Sequence, residues 1–374
     1  MLVSGNVALA EDPELTQAPP RAVGTAVVLP PHRYPQAELA RIAARQLPAF
    51  RDRERFLQRF FERVGVRERH LSLPAEEYAL LGGFEERSRA WQRVATELGA
   101  ECLTALLEEV GASAGEVSLL TTTTVTGISV PSIDARLMNV LPFSRSLKRV
   151  PLFGLGCLGG AAGLARTAEY LRAYPDQLAA LLSIELCSLT LQQSDASLAN
   201  VVSSGLFGDG AAAVLLAGPA HPLARERALT GPSIVASRSA FFPDTERVMG
   251  WDVIDGGFRV VLSPAVPDVV RAEVPSAVDG FLAEHDLTRA DIATWISHPG
   301  GPKVLAALEE CLDLPPDALR PSREALSAVG NLSSASVLYL LDDFRRHRVP
   351  PPGSHGLLMA MGPAFCAELV LLRW

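Results

Sequence analysis

A cysteine, a histidine and an asparagine occupy matching places in this 374-residue chain. Cys157 lies in GCLGGAAGL (156–164) and Asn331 in GNLSSASVL (330–338). Each run opens with Gly, follows its variable residue with Leu and two small residues, and closes on Leu. The two positions are 331 − 157 = 174 residues apart, and the same offset carries His298 in WISHPGG back to Thr124 in SLLTTTTVTG. A thiol is a nucleophile only as its thiolate, and a free thiol has a pKa of about 8.5. A helix N-terminus favours the thiolate through unpaired N–H groups and partial positive charge. Gly154 and Gly156 before Cys157, and Gly159 and Gly160 after it, permit a tight turn and close backbone approach. The N–H groups of such a turn could hold a thioester oxyanion. His298 ends an apolar strand, at the end where open α/β sheets bind ligands. Taken singly, each residue has a plainer reading: Cys157 as a buried packing residue, His298 as a hydrogen-bonded structural histidine, Asn331 as a helix N-cap. The weight lies in the three together on matched elements, which are the parts of a thiolate enzyme acting on acyl groups.

The elements that must carry them follow from hydrophobic period. GTAVVLP near residue 24 reads as a first buried strand. Residues 36–63 and 86–111 show helical spacing, the latter stopped by Gly111, and Leu137–Val140 belongs to a helix after the Pro131 turn. RVPLFGLG is a strand running into the turn before Cys157, whose helix continues through AAGLARTAEYLRAYP. LAALLSIELCS and GLFGDGAAAVLLAG give two more apolar strands. The second half repeats the scheme with a helix over 268–285, strand TWISHP, a helix over 302–311, a helix from Asn331 through Leu341 and two closing strands around Gly362 and Pro363. Alternating apolar strands and amphipathic helices indicate α/β layers. A repeat of this length means duplicated domains, since solenoid repeats run at about 20–50 residues. The expected organisation is a mobile leader over 1–24, an N-terminal half over 25–225 carrying the cysteine, and a C-terminal half over 226–374 carrying His298 and Asn331.

Composition narrows the classes. Hydrophobic residues make up 48% of the chain, enough for a large core, and the net charge of −8 argues against nucleic acid as a partner. The one basic cluster, Arg51 to Arg69, is mixed with acids and amphipathic, the pattern of a solvated helix face. The five cysteines are widely spaced with no CxxC pair, which fits a reducing cytoplasm and excludes a disulfide scaffold or zinc ribbon. No charged n-region followed by an apolar core opens the chain, so no signal peptide is expected, and no uninterrupted apolar stretch is long enough to span a bilayer.

On GLGCLGGAAGL (154–164), LFGDGAAAVL (206–215), SHPGGPKVL (297–305), GNLSSASVL (330–338), VLPPHRYPQ (28–36) and the closing GPAFCAELVLL, the chain resembles the thiolase superfamily, and within it the chalcone synthase-like type III polyketide synthases of bacterial type. The likeness runs from about residue 25 to the end. It implies a five-layered αβαβα fold with two duplicated halves, and a homodimer. It implies that Cys157 takes a starter acyl group from coenzyme A. His298 and Asn331 would polarise the malonyl thioester, and His298 would hold Cys157 as thiolate. Phe207 matches a gatekeeping Phe; Thr190 and Ser333 match cavity positions; Arg59 and Arg63 fall where basic residues meet the coenzyme A phosphates. Four positions depart from the family pattern: Val260 replaces a second gatekeeping Phe, Val125 a cavity Thr, Val130 a Met that crosses the dimer interface, and Ala364 a Gly. With PDTERVMGWDV resembling members that take fatty acyl starters, the expected activity is iterative condensation of malonyl-CoA onto an acyl-CoA starter. Cyclisation to an alkylpyrone or alkylresorcinol would follow. No cofactor is implied beyond coenzyme A thioesters arriving as substrates. The alternatives are a ketoacyl carrier-protein synthase III-like enzyme making one condensation, and a non-catalytic member of the fold.

Overall fold

In the computed structural model the described residues are 18–46, 53–226 and 231–374. Thirteen strands occur among them: β1 (Arg21–Val28), β2 (His32–Pro35), β3 (Glu68–Leu71), β4 (Val117–Thr124), β5 (Lys148–Phe153), β6 (Leu178–Leu186), β7 (Asp209–Ala217), β8 (Ser233–Phe241), β9 (Met249–Ile254), β10 (Gly257–Leu262), β11 (Ile292–Ser297), β12 (His355–Gly362) and β13 (Cys366–Arg373). The helices are α1 (Gln36–Gln46), α2 (Glu54–Arg63), α3 (Phe84–Val110), α4 (Ile133–Leu137), α5 (Gly159–Ala173), α6 (Leu198–Leu206), α7 (Pro222–Arg225), α8 (Val266–Ala283), α9 (Pro302–Cys311), α10 (Arg320–Val329) and α11 (Ser336–His347).

The duplication read from two nine-residue runs is present in the strand pairing. In the first half β4 runs parallel to β6, β6 antiparallel to β7, and β7 antiparallel to β1. In the second, β11 runs parallel to β12, β12 antiparallel to β13, and β13 antiparallel to β8. The two foursomes join through the Arg21–Ser233 pair of β1 and β8, giving the order β11-β12-β13-β8-β1-β7-β6-β4-β5. The inner strands β6 and β7 are buried at every position because both faces of the sheet are covered there. On β7, Ala211, Ala213 and Leu215 pack into one core with α3, while Ala212, Val214 and Leu216 pack into a second with α5 and α11. On β13, Val370 and Leu372 join that second core, and Leu369 and Leu371 join a third with α8 and α9. Successive residues of a strand point to opposite faces, so the layers run helix, sheet, paired helices, sheet, helices. The result is the expected five-layered αβαβα arrangement.

The central pair α5 and α11 carries the two repeated runs, and their N-terminal ends touch. A Cβ on Gly160 would lie 2.1 Å from the Ser334 carbonyl oxygen, so only glycine lets the two helix starts approach this closely. Two expectations change. Arg21–Gly24, expected in the leader, begin β1, where Ala22 and Val23 are fully buried against the sheet; residues 1–17 lie outside the described residues. The helix expected at 137–140 is α4, which ends at Leu137. No helix among the described residues is long and apolar enough to cross a membrane.

Candidate active site

Cys157 stands where β5 turns into α5. Its residue is in a single 3-10 turn, Gly156–Leu158, directly before the helix begins at Gly159. Gly156 has φ +54°, and a Cβ there would strike the Pro363 ring at 2.4 Å. The thiol is buried, with Sγ 3.5 Å from Ser333 Oγ. Ser333 is the fourth residue of the second repeated run and is itself left-handed, at φ +49°. A non-glycine residue held there costs of order 1–3 kcal/mol and persists only where its surroundings fix it. Here the fixing contact is its N–H, which donates to Asn331 Oδ1 at 2.8 Å.

His298 follows the last residue of β11, and its N–H donates to the Met359 carbonyl of β12 at 2.9 Å. That continues the parallel ladder one residue past the strand and aims the buried imidazole inward. Its Nε2 lies 3.3 Å from Asn331 Nδ2, and its Nδ1 has no partner. Asn331 is not a helix N-cap: the helix expected to begin there, α11, starts at Ser336, and the cap positions are Leu332 and Ala335. Oδ1 satisfies a backbone N–H at the start of the turn leading to α11, and this fixes which way the amide faces. Nδ2 is thereby turned to the histidine. When Nε2 carries a proton, the two nitrogens are both donors; they cannot bond each other, but both can bond one oxygen placed between them. That is the geometry that polarises a thioester carbonyl.

Charge is expensive in this pocket. Burial pushes the Cys157 thiol up to about 12 and the His298 imidazole down to about 3. Cys157 Sγ lies 3.5 Å from Ser333 Oγ, and His298 Nε2 faces Asn331 Nδ2 at 3.3 Å. Both shifts penalise a lone charge.

Sequence reasoning missed a buried carboxyl beside this centre. Glu185, on β6, is fully enclosed; Oε2 accepts from Val125 N–H (3.1 Å) and Thr126 Oγ1 (2.9 Å), and Oε1 from Ser334 Oγ. Ser334 in turn bonds Ser183 Oγ at 2.7 Å. Burial raises Glu185 to about 7. The signal was present in the sequence, as the one charged residue in the apolar run LAALLSIEL.

A cavity of about 860 Å3 of empty space, its open mouth included, is lined by Phe207, Thr190, Val260, Cys187, Ser203 and Trp251 among others, and not by Cys157, His298 or Asn331. Thr190 spends its hydroxyl on the Cys187 carbonyl at 2.7 Å. Trp251 was not foreseen. It pairs directly across the β9–β10 hairpin from Val260, so the aromatic surface absent at 260 is supplied by its cross-strand neighbour. Val125 is buried but acts through its backbone N–H on Glu185. Val130 is 94% exposed on the loop before α4, away from its own chain's cavity. Arg59 and Arg63 lie on the exposed face of α2, opposite buried Leu57 and Phe61, and neither is in an ion pair among the described residues.

The description "Chalcone and stilbene synthases, N-terminal domain" matches residues 18–220, and the C-terminal domain of the same family matches 233–374. A 1,3,6,8-tetrahydroxynaphthalene synthase of Streptomyces peucetius subsp. caesius is 50% identical over 354 residues, 94% of this chain and 92% of that one. A phloroglucinol synthase of Pseudomonas fluorescens is 31% identical, covering 93% and 97%. The crystal structure of 1,3,6,8-tetrahydroxynaphthalene synthase from Streptomyces coelicolor A3(2), described as a bacterial type III polyketide synthase, superposes with TM-score 0.87 at 30% identity over 95% of this chain and 99% of that one.

Proposed function

The chain belongs to the chalcone and stilbene synthase family as a type III polyketide synthase, and from that premise we propose that it builds a polyhydroxylated aromatic product by iterative condensation of malonyl units on Cys157. The observation that carries this reading is the convergence of Cys157, His298 and Asn331, with Ser333 touching the thiol and holding the asparagine. In the first step the Cys157 thiolate attacks an acyl-CoA carbonyl, forming a thioester and releasing the coenzyme A thiol. In the second, malonyl-CoA loses carbon dioxide while His298 Nε2–H and Asn331 Nδ2–H hold the thioester oxygen of the resulting enolate. The enolate carbon then attacks the Cys157 thioester; one carbon–carbon bond forms and the thiolate leaves, ready for the lengthened chain. Arg59 and Arg63, exposed and without ion-pair partners among the described residues, suit the coenzyme A phosphates.

The product class rests on the relatives. A tetrahydroxynaphthalene has ten ring carbons, five two-carbon units, and phloroglucinol has six, or three. The fatty acyl starter and alkylpyrone or alkylresorcinol product form a second reading, favoured by the apolar arm of the cavity along Leu39, Ile42, Ala43, Leu71 and Ala75. Incubation with malonyl-CoA alone, and then with acyl-CoA esters of rising length, separates the two by mass spectrometry. A ten-carbon aromatic from malonyl-CoA alone supports the first; products only with long acyl esters support the second. A single condensation that needs an acyl carrier protein contradicts both and returns the synthase III-like alternative.

Two predictions follow from this geometry. His298→Gln and Asn331→Ala each remove or weaken a donor to the enolate oxygen, so malonyl-CoA decarboxylation should fall by about 10²–10³-fold. Normal carbon dioxide release by both would contradict the assignment. Trp251→Ala widens the cavity beside Val260. The variant should use an acyl starter several carbons longer with roughly tenfold higher kcat/KM, since a methylene in an apolar pocket changes selectivity by about that much or more. An unchanged starter profile would remove Trp251 from the wall.

We propose a homodimer. β5 is an open sheet edge, and the exposed apolar residues Ile128, Val130, Val140, Val150 and Phe153 all fall between the end of β4 and the end of β5. An open apolar edge is normally covered.

A further inference from the structure

The short segment Leu206–Gly208 links two parts of the site that face different steps. Phe207 stands at the cavity mouth. The residues on either side of it are bonded to the Asn331 backbone: Asn331 N–H donates to the Leu206 carbonyl at 2.9 Å, and Gly208 N–H donates to the Asn331 carbonyl at 3.0 Å. Phe207 and Asn331 form an isolated parallel bridge. A displacement of one is therefore passed to the other.

The segment is also the C-terminal end of α6, where carbonyls lose their helical partners. Each of the three is met from outside the helix. Gly205 O accepts from Gln36 Nε2 at 2.5 Å, Leu206 O from Asn331 N–H, and Phe207 O from Arg69 Nη1 at 2.7 Å. Arg69 is 4% exposed, lies over the Phe61 ring with its guanidinium carbon 5.8 Å from the centroid, and donates from Nε to Gln36 Oε1 at 3.0 Å. Its stem packs on Gly330, the residue before Asn331: a Cβ there would lie 3.1 Å from Arg69 Cγ. A buried cation at a helix C-terminus is favourable in sign, and the Asp209 carboxylate just past the segment, held by Ser72 and Ser188, adds attraction.

We propose that Arg69 is a positioning residue that sets the Phe207 gate and the Asn331 amide together, clamping the end of α6 against the turn that carries Asn331. The inference rests on the reading that Asn331 acts on the malonyl thioester. Lysine keeps the charge but not the fork that reaches Phe207 O and Gln36 Oε1 at once. Misplacement on the scale of 1 Å costs about 10²-fold in rate.

The experiment compares Arg69→Lys, Arg69→Met, Gln36→Met and Asn331→Ala in two single-step assays, with thermal melting of each variant. One assay is acyl transfer from an acyl-CoA to Cys157, followed by protein mass; the other is carbon dioxide release from malonyl-CoA. Arg69→Lys should load within about threefold of the parent chain and release carbon dioxide roughly 10–100-fold more slowly, with the loss in kcat and little change in KM. Gln36→Met should lose decarboxylation in the same direction by less, which keeps the test available if Arg69→Met does not fold. Parallel loss of loading and decarboxylation in step with the folded fraction would reduce Arg69 to a structural role and overturn the inference. So would normal decarboxylation by Arg69→Lys beside an impaired Asn331→Ala. Normal decarboxylation by Asn331→Ala would overturn the functional reading itself, and the inference with it.

Discussion

Cys157→Ala should take no acyl group from coenzyme A and should lower polyketide formation by at least about 10⁴-fold, the scale on which a catalytic nucleophile fails when deleted. The same variant should still release carbon dioxide from malonyl-CoA. His298 Nε2 and Asn331 Nδ2, 3.3 Å apart, remain to hold the enolate oxygen, and without an electrophile on residue 157 the enolate takes a proton and leaves as acetyl-CoA. Loss of polyketide with persistent acetyl-CoA is the specific signature. The fold should survive, since a sulfur is removed from a site already tight, and the nearest contact it leaves is the Ser333 hydroxyl. Acyl-enzyme of normal mass in this variant would place the nucleophile elsewhere, with Cys187 of the cavity wall the residue to examine next. Loss of decarboxylation along with condensation would mean that the thiol takes part in polarising malonyl-CoA.

The order in which these parts became legible has a physical basis. The runs at 156–164 and 330–338 are visible because each must begin a central helix against the other, which restricts both to small residues over the same few positions. Gly160 against the Ser334 carbonyl is that restriction in one contact. His298 was legible as a strand end because apolar β11 stops at a Pro-Gly-Gly turn. Helix α9 was placed to the residue, and the C-terminal end of α3 to within one, because Pro302 and Gly111 punctuate them; Gly111 adopts φ +68° in the manner of a left-handed cap. What stayed hidden depends on pairing across long separations. Trp251 faces the cavity because it pairs with Val260, and a hairpin register is fixed by turn geometry rather than by side-chain type. Arg69 belongs to a basic stretch that reads as solvated, and only the fold shows that β3 carries this one guanidinium inward to the end of α6. Ala364 was seen as a departure from a family glycine; the structure shows φ +57° there, so the alanine is held in a conformation that costs roughly 1–2 kcal/mol.

Glu185→Gln should alter the pH dependence of stability between about pH 4.5 and pH 7. In the unfolded chain the carboxyl titrates near its ordinary value of 4.5, and in the folded chain burial raises it to about 7. Between those values the folded state binds more protons than the unfolded state, so stability falls as pH rises through the window and is fully lost above about 7. At about 1.36 kcal/mol per unit the loss amounts to about 3 kcal/mol. His298 works against it: its folded value is lowered to about 3 from 6.5, so its contribution makes stability rise with pH up to 6.5 and masks much of the glutamate's slope in the parent chain. Asp209, raised by burial, acts in the same sense as Glu185 at lower pH. The difference between parent and Glu185→Gln cancels both. Glutamine fits the site, with its oxygen accepting from Val125 N–H and Thr126 Oγ1 and its amide donating to Ser334, whose hydroxyl then turns to Ser183. Urea unfolding at pH 5 and pH 8 should show the variant gaining on the parent by about 3 kcal/mol across that interval. A difference that is the same at both pH values would mean that the carboxylate is ionised inside the fold, held by its donors Thr124, Val125, Thr126 and Ser334. In that case Glu185 would be a fixed negative charge beside Cys157, opposing the thiolate.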